Sequence, residues 1–276
     1  MNTSDEGKRS PRFVIIDSQV NVPSNVNVGI TDTKALEKSS VESDTQTQNA
    51  VKSTRSESGF SRKELSRRRI IHPGMKNPEV LNAFRSLRLS LTKKMTGPNA
   101  VILVSAVNSG GGGSFTATNL ATAFTFEKDR EALLIDCNMM DPTLHKSLDV
   151  DHEAGLCDYL TGKTDNVEQL IYPTGIPRLS MVPCGSENID RDGLVELFTD
   201  DRMRQFIEQV RGLQDNRTVL LDAAPILDSA DTRVLAELSE LVVVALPYKG
   251  ATSNRVAKTI EEFGGRENIS GFVMVN

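Results

Sequence analysis

Four consecutive glycines and a serine, Gly110, Gly111, Gly112, Gly113 and Ser114, are the residues of this chain best suited to holding a phosphate. Glycine lets successive backbone N–H groups turn into one concavity, and a helix that starts there adds the positive end of its dipole. The apolar run 101–104 before them reads as a buried parallel strand. After them Ala117, Leu120, Ala121 and Phe124 recur at helical spacing. The standard pattern for such a loop is G-x-x-x-x-G-K-[ST]. With Gly112 as its last glycine and Ser114 as its hydroxyl residue, the lysine position holds Gly113 and the first glycine falls on Val107. The frame is present and its cation is missing. Loss of one preorganised charge contact of this kind costs about 3 kcal/mol of transition-state stabilisation. Four glycines also predict a loop that is loose when empty. A glycine-rich turn that binds nothing is the competing reading.

Two acids can complete the chemistry. Asp136 and Asp222 each end an apolar run, 132–136 and 218–222, and fit positions that hold Mg²⁺ or its waters and orient an attacking group. With the Ser114 hydroxyl they form a candidate Mg²⁺ set. Strand-ending acids are common in such sheets, so each gains meaning only beside the glycine loop.

The elements that would position these groups follow a βα rhythm after Pro98, with one helix before it. The stretch 79–94 places Val80, Phe84, Leu87 and Leu91 on one helical stripe, with Arg85 and Arg88 beside it read as solvated. Runs 179–183, 241–246 and 271–275 read as further strands. Stretches 155–160, 167–171, 201–213, 229–238 and 253–263 read as helices. This predicts an α/β domain: a doubly wound, mostly parallel sheet with helices on both faces, binding its ligand at the carboxyl ends of the strands. Residues 1–60 are polar apart from the apolar tetrad 13–16, and read as a disordered tail in which the tetrad is incidental. Residues 61–78 read as a basic linker, and 79–276 as the folded domain. The basic stretch 62–76 is a solvated segment, or an arm toward an anionic membrane surface or acidic partner.

The totals exclude several classes. A net charge of −5 argues against nucleic acid as the main partner. No run of eighteen apolar residues is present, and no apolar signal segment opens the chain, so a cytoplasmic location is expected. Cys137, Cys157 and Cys184 are too few and too scattered for a disulfide framework or a metal set. They read as reduced core thiols.

Four segments in order, SAVNSGGGGSFTATNLA, LLIDCNMMDPTLHKSL, GLCDYLTG and TVLLDAAPILDSADTRVLA, resemble the bacterial tyrosine kinase (BY-kinase) family of exopolysaccharide synthesis. That family is akin to the ParA/MinD-type ATPases, and the resemblance covers about residues 62–276. It implies a P-loop NTPase-like fold. It also implies that ATP or ADP contacts Gly110, Gly111, Gly112, Gly113, Ser114 and Phe115, that Mg²⁺ sits at Ser114, Asp136 and Asp222, and that Asn276 lies against adenine. Departures accompany the matches. Gly113 replaces the phosphate-binding lysine, Asn138 the second acid of the Walker A′ segment, Met140 its arginine, and Ala224 the first proline of a Pro-Pro pair. The E-x-x-R-x-x-R oligomerisation helix maps to Asn82, Arg85 and Arg88, with its acid lost. A tyrosine-rich C-terminal tail is missing, whereas Ser114, Asp136, Asp222 and Asp231 are retained.

The resemblance therefore implies a protein with its chemistry dismantled. Such a chain would act as a non-catalytic or weakly nucleotide-binding partner of a membrane-anchored polysaccharide copolymerase or of an active kinase relative. It could also form homo-oligomers. Two alternatives stay open. One is an active autokinase in which Lys128, Lys146, Lys249 or Arg233 replaces the missing cation. The other is a ParA/MinD-type positioning ATPase that uses the basic segment 62–76 at the membrane.

Overall fold

The computed structural model describes residues 14–17, 59–185, 193–248 and 252–275. Its strands are β1 (Val14–Asp17), β2 (Val101–Ala106), β3 (Glu131–Asp136), β4 (Tyr172–Pro173), β5 (Leu179–Val182), β6 (Arg217–Asp222), β7 (Leu241–Pro247) and β8 (Gly271–Val275). They form one sheet in the order β1-β8-β7-β2-β6-β3-β5-β4. The six inner strands run parallel, and β1 and β4 close the two edges antiparallel. β2 and β6 are buried at every residue, as interior strands of a sheet covered on both faces must be.

The helices are α1 (Arg62–Arg67), α2 (Pro78–Thr92), α3 (Gly113–Phe124), α4 (Leu144–Ser147), α5 (Leu156–Leu160), α6 (Leu194–Thr199), α7 (Asp201–Gly212), α8 (Asp231–Glu237) and α9 (Ser253–Glu262). Alternate strand residues feed two cores. Val101, Leu103, Leu133 and Ile135 join Tyr159 of α5, Phe198 of α6, Phe206 of α7 and Leu235 of α8. Ile102, Val104 and Leu134 join Phe84 and Leu87 of α2, Leu120 of α3 and Leu144 of α4. The period of two along each strand thus makes a doubly wound α/β sandwich, as expected.

Three expectations are corrected. Val14, Ile15 and Ile16 of the apolar tetrad counted as incidental form β1 with Asp17, and this strand pairs with β8 in the register Val14↔Met274 to Asp17↔Gly271. The basic stretch read as a linker is packed into the fold. Its helix α1 starts at a capping box between Ser61 and Glu64, and Ile70 and Ile71 behind it are buried. Asn119 of α3 holds that segment, accepting from the Ile71 N–H at 2.8 Å and donating to the Arg69 carbonyl at 3.2 Å. Arg62, Lys63, Arg67 and Arg69 keep the stretch basic on its exposed side. Arg88, read as solvated, is a strap instead: it donates to the Ala123 carbonyl of α3 at 3.4 Å and lies 4.0 Å from Glu127. No helix among the described residues is long and apolar enough to cross a membrane.

Candidate functional site

The glycine run joins the end of β2 to the start of α3 at the carboxyl edge of the sheet. Gly112 caps α3 in the left-handed region, at φ 85°, and a side chain there would lie 2.9 Å from Val275 of β8. Glycine at this position is demanded by the fold. The expected looseness is thus countered at Gly112 by a tight neighbour. Gly113 differs. Its φ is ordinary, and a Cβ would meet the Ala106 backbone nitrogen at 3.3 Å, a tight contact that requires the end of β2 to give by a few tenths of an ångström.

This loop, the segment after β3 and the segment after β6 line one cleft of about 820 Å³. Gly110, Gly111, Gly112, Gly113, Ser114 and Phe115 all face it. So do Asn138 and Met140, the two departures of the Walker A′ segment, and Met140 is 42% exposed. Phe115 also packs edge-on against Phe84, with ring centroids 6.0 Å apart. Asn276 and Lys249 lie outside the described residues.

Asp136 and Asp222 are not among the residues that line the cleft; they stand at the ends of β3 and β6 as direct neighbours in register. Both are buried. Asp136 is held by the backbone N–H groups of Asn138 and Leu144, each at 3.3 Å. Burial first, then the charge of Asp222, raises its pKa well above the usual carboxylate range. Asp222 is pushed up to about 7 by burial, an effect that the Ser114 hydroxyl partly offsets. That hydroxyl stands near the carboxylate without completing a hydrogen bond, for both Asp222 oxygens are buried without a partner. Two adjacent buried carboxylates resist double ionisation unless a cation joins them.

Orphaned carboxylate oxygens beside a serine hydroxyl make an all-oxygen donor set that fits Mg²⁺. Among the described residues no cluster of three His, Cys, Asp or Glu side chains could cage a metal alone. Magnesium here would lean on water and phosphate oxygens, as it does with one or two carboxylates.

No Lys, Arg or His lines the cleft among the described residues. Lys128 follows the far end of α3, roughly 18 Å of helix away. Lys146 is exposed on α4, and Arg233 pairs with Glu262. The lining carries carboxylates instead: Asp141, Asp228 and Asp231. Asp231 accepts from the Ser229 hydroxyl at 2.6 Å, and Asp228 accepts from the Ser109 N–H at 2.9 Å. Sequence reasoning gave Asp228 no role, because its partner lies more than a hundred residues away. The three cysteines are free and buried, with the Cys157 and Cys184 sulfurs 3.4 Å apart.

Comparison with known proteins bears on the whole arrangement. No family profile matches the chain. EpsB of Ralstonia solanacearum is 32% identical over 66% of this chain, and the match spans 24% of its own length. Tyrosine-protein kinase Wzc of Salmonella typhi is 28% identical over 67% of the chain and 25% of its own length. The chain thus spans about a quarter of these relatives. Among solved structures, the kinase domain of the Escherichia coli tyrosine kinase ETK superposes with a TM-score of 0.63 at 24% identity, over 70% of this chain and 74% of that one. Cobyrinic acid a,c-diamide synthase of Mycobacterium smegmatis, solved with an ATP analogue and magnesium, reaches 0.50 at 18% identity, over 62% and 70%. Likenesses at that identity speak for the fold alone. The homologues of this chain are bacterial tyrosine kinases of the BY-kinase family, and its fold is the P-loop fold of their kinase domains.

Proposed function

We propose that this chain is a BY-kinase-like P-loop protein that works without phosphoryl transfer, as a docking or regulatory partner in exopolysaccharide synthesis or export. The observation that carries the reading is the charge of the cleft. Glycine stands at the lysine position, no described basic side chain lines the walls, and three carboxylates do. A polyphosphate entering such a cleft meets backbone N–H groups and, through Asp136 and Asp222, any Mg²⁺ it brings, but no protein cation to neutralise charge that develops during transfer. Nucleotide binding is therefore weak or absent. Its partner is a membrane-anchored polysaccharide copolymerase or an active kinase relative, met at the inner face of the membrane.

Purified protein incubated with ATP and Mg²⁺ is expected to show neither phosphotyrosine nor hydrolysis above background. Clear turnover that disappears in Asp222→Ala would overturn the reading.

A further inference from the structure

We propose that Asp228 is a built-in anion that holds the mouth of the phosphate loop and discriminates against nucleotides in proportion to their negative charge. The inference rests on the reading above of a phosphate-loop cleft that takes nucleotide weakly, and it names a residue that makes it weak. Its carboxylate accepts the N–H of Ser109, the amide that leads into the glycine run, at 2.9 Å. An amide at this end of the loop is a natural donor to an incoming anion, and here the protein's own carboxylate takes it.

Asp228 is exposed, and the backbone that carries its carboxylate is fixed from behind. Asp228 closes a turn in which its own N–H and that of Ser229 both donate to the Pro225 carbonyl, at 2.9 and 3.1 Å. The same turn is laced to the end of β2, with Ile226 N–H to Ala106 O at 3.0 Å and Leu227 N–H to Val107 O at 3.4 Å. The backbone carrying the acid is therefore tied to residues 106 and 107, just before the amide of Ser109. A phosphate that reached Ser109 would have to displace the carboxylate and then face it across a short gap. Asp141 and Asp231 add to the same negative field, and no described cation on the lining offsets it. The penalty grows with ligand charge, so a triphosphate suffers more than a diphosphate.

The test is calorimetry of the full chain with ADP and with ATP in Mg²⁺, comparing Asp228→Asn with the parent, both also carrying Gly113→Lys so that affinity is measurable. Asp228→Asn is expected to raise ATP affinity about tenfold and ADP affinity by clearly less. Asp141→Asn, which removes a lining charge without touching Ser109, should do markedly less than Asp228→Asn. If Gly113→Lys binds nucleotide but Asp228→Asn changes neither affinity, or if Asp141→Asn matches it, the role given to Asp228 falls while the cleft remains a nucleotide site. If no variant binds either nucleotide although all melt as the parent does, the nucleotide reading falls and the Asp228 role with it.

Discussion

At the scale of single residues, the buried acids and the glycine beside them make opposite predictions. Burial strips the Asp222 carboxylate of water and pushes its pKa up to about 7 in the fold, whereas an unfolded chain ionises it near 3.9. A raised acid favours the folded state fully below the unfolded pKa. The unfolded state then sheds its proton first, and stability falls as pH rises from about 4 to about 7. In EDTA, Asp222→Asn should lessen the slope of the pH–stability curve across that window, Asp136 keeping the part due to its own burial, and leave the protein more stable at pH 7.5, by on the order of a few kcal/mol. Denaturant melts at pH 4.5 and 7.5 measure this, and an unchanged slope in the variant refutes it. Gly113→Lys acts on affinity. Its ordinary φ permits a side chain, although the new Cβ would press on the Ala106 backbone nitrogen at 3.3 Å, and a charge-assisted phosphate contact is worth about 1.5–3 kcal/mol, or ten- to a hundredfold. Calorimetry with ADP and ATP reads it, and a well-folded variant without gain would mean that the loop does not cradle phosphate. Asp136 and Asp222 were legible in the sequence because each ends an apolar run beside a recognisable loop. Asp228 was not, because only the folded chain brings it to Ser109.

At the scale of elements, legibility followed length and periodicity. The inner strands and the helices α2, α3, α7 and α9 announce themselves by period. Helix α1 is six residues long, too short to be stable by propensity, and its place is set by contacts that the linear pattern hides. The chief one is Asn119, buried on α3, which serves Ile71 and Arg69 with its amide while its NH₂ also donates to the Phe115 carbonyl at 2.9 Å. Asn119→Ala leaves a buried N–H and a carbonyl without partners, at a cost of about 2–4 kcal/mol. Urea unfolding gives the size of the loss. Hydrogen exchange gives its place, with the Ile71 amide losing more protection than amides in β2. Equal loss throughout would show that Asn119 does not anchor this segment in particular.

At the scale of the whole molecule, the sheet is closed at one edge by a strand drawn from far away in sequence. β1 ends at Asp17 and the next described residue is Gly59, so the pairing with β8 joins the N-terminal segment to the strand whose Val275 props Gly112. That coupling was hidden because an apolar tetrad in a polar stretch looks the same whether or not a sheet edge awaits it. We expect residues 59–276 to fold alone, since every inner strand pairs with another strand of that segment. Removing residues 1–58 should cost only about 1–2 kcal/mol, the worth of one short edge strand. Its signature should be local. β8 amides that face β1 lose protection against hydrogen exchange, while those that face β7 keep theirs, an internal control within one strand. Because Val275 touches the loop, the truncated chain should also show faster exchange at Gly112 than the full chain does. Unchanged exchange along β8 would mean that β1 does not hold that edge in solution. Faster exchange on both sides of β8 would mean that the N-terminal strand supports the sheet as a whole and not its edge alone.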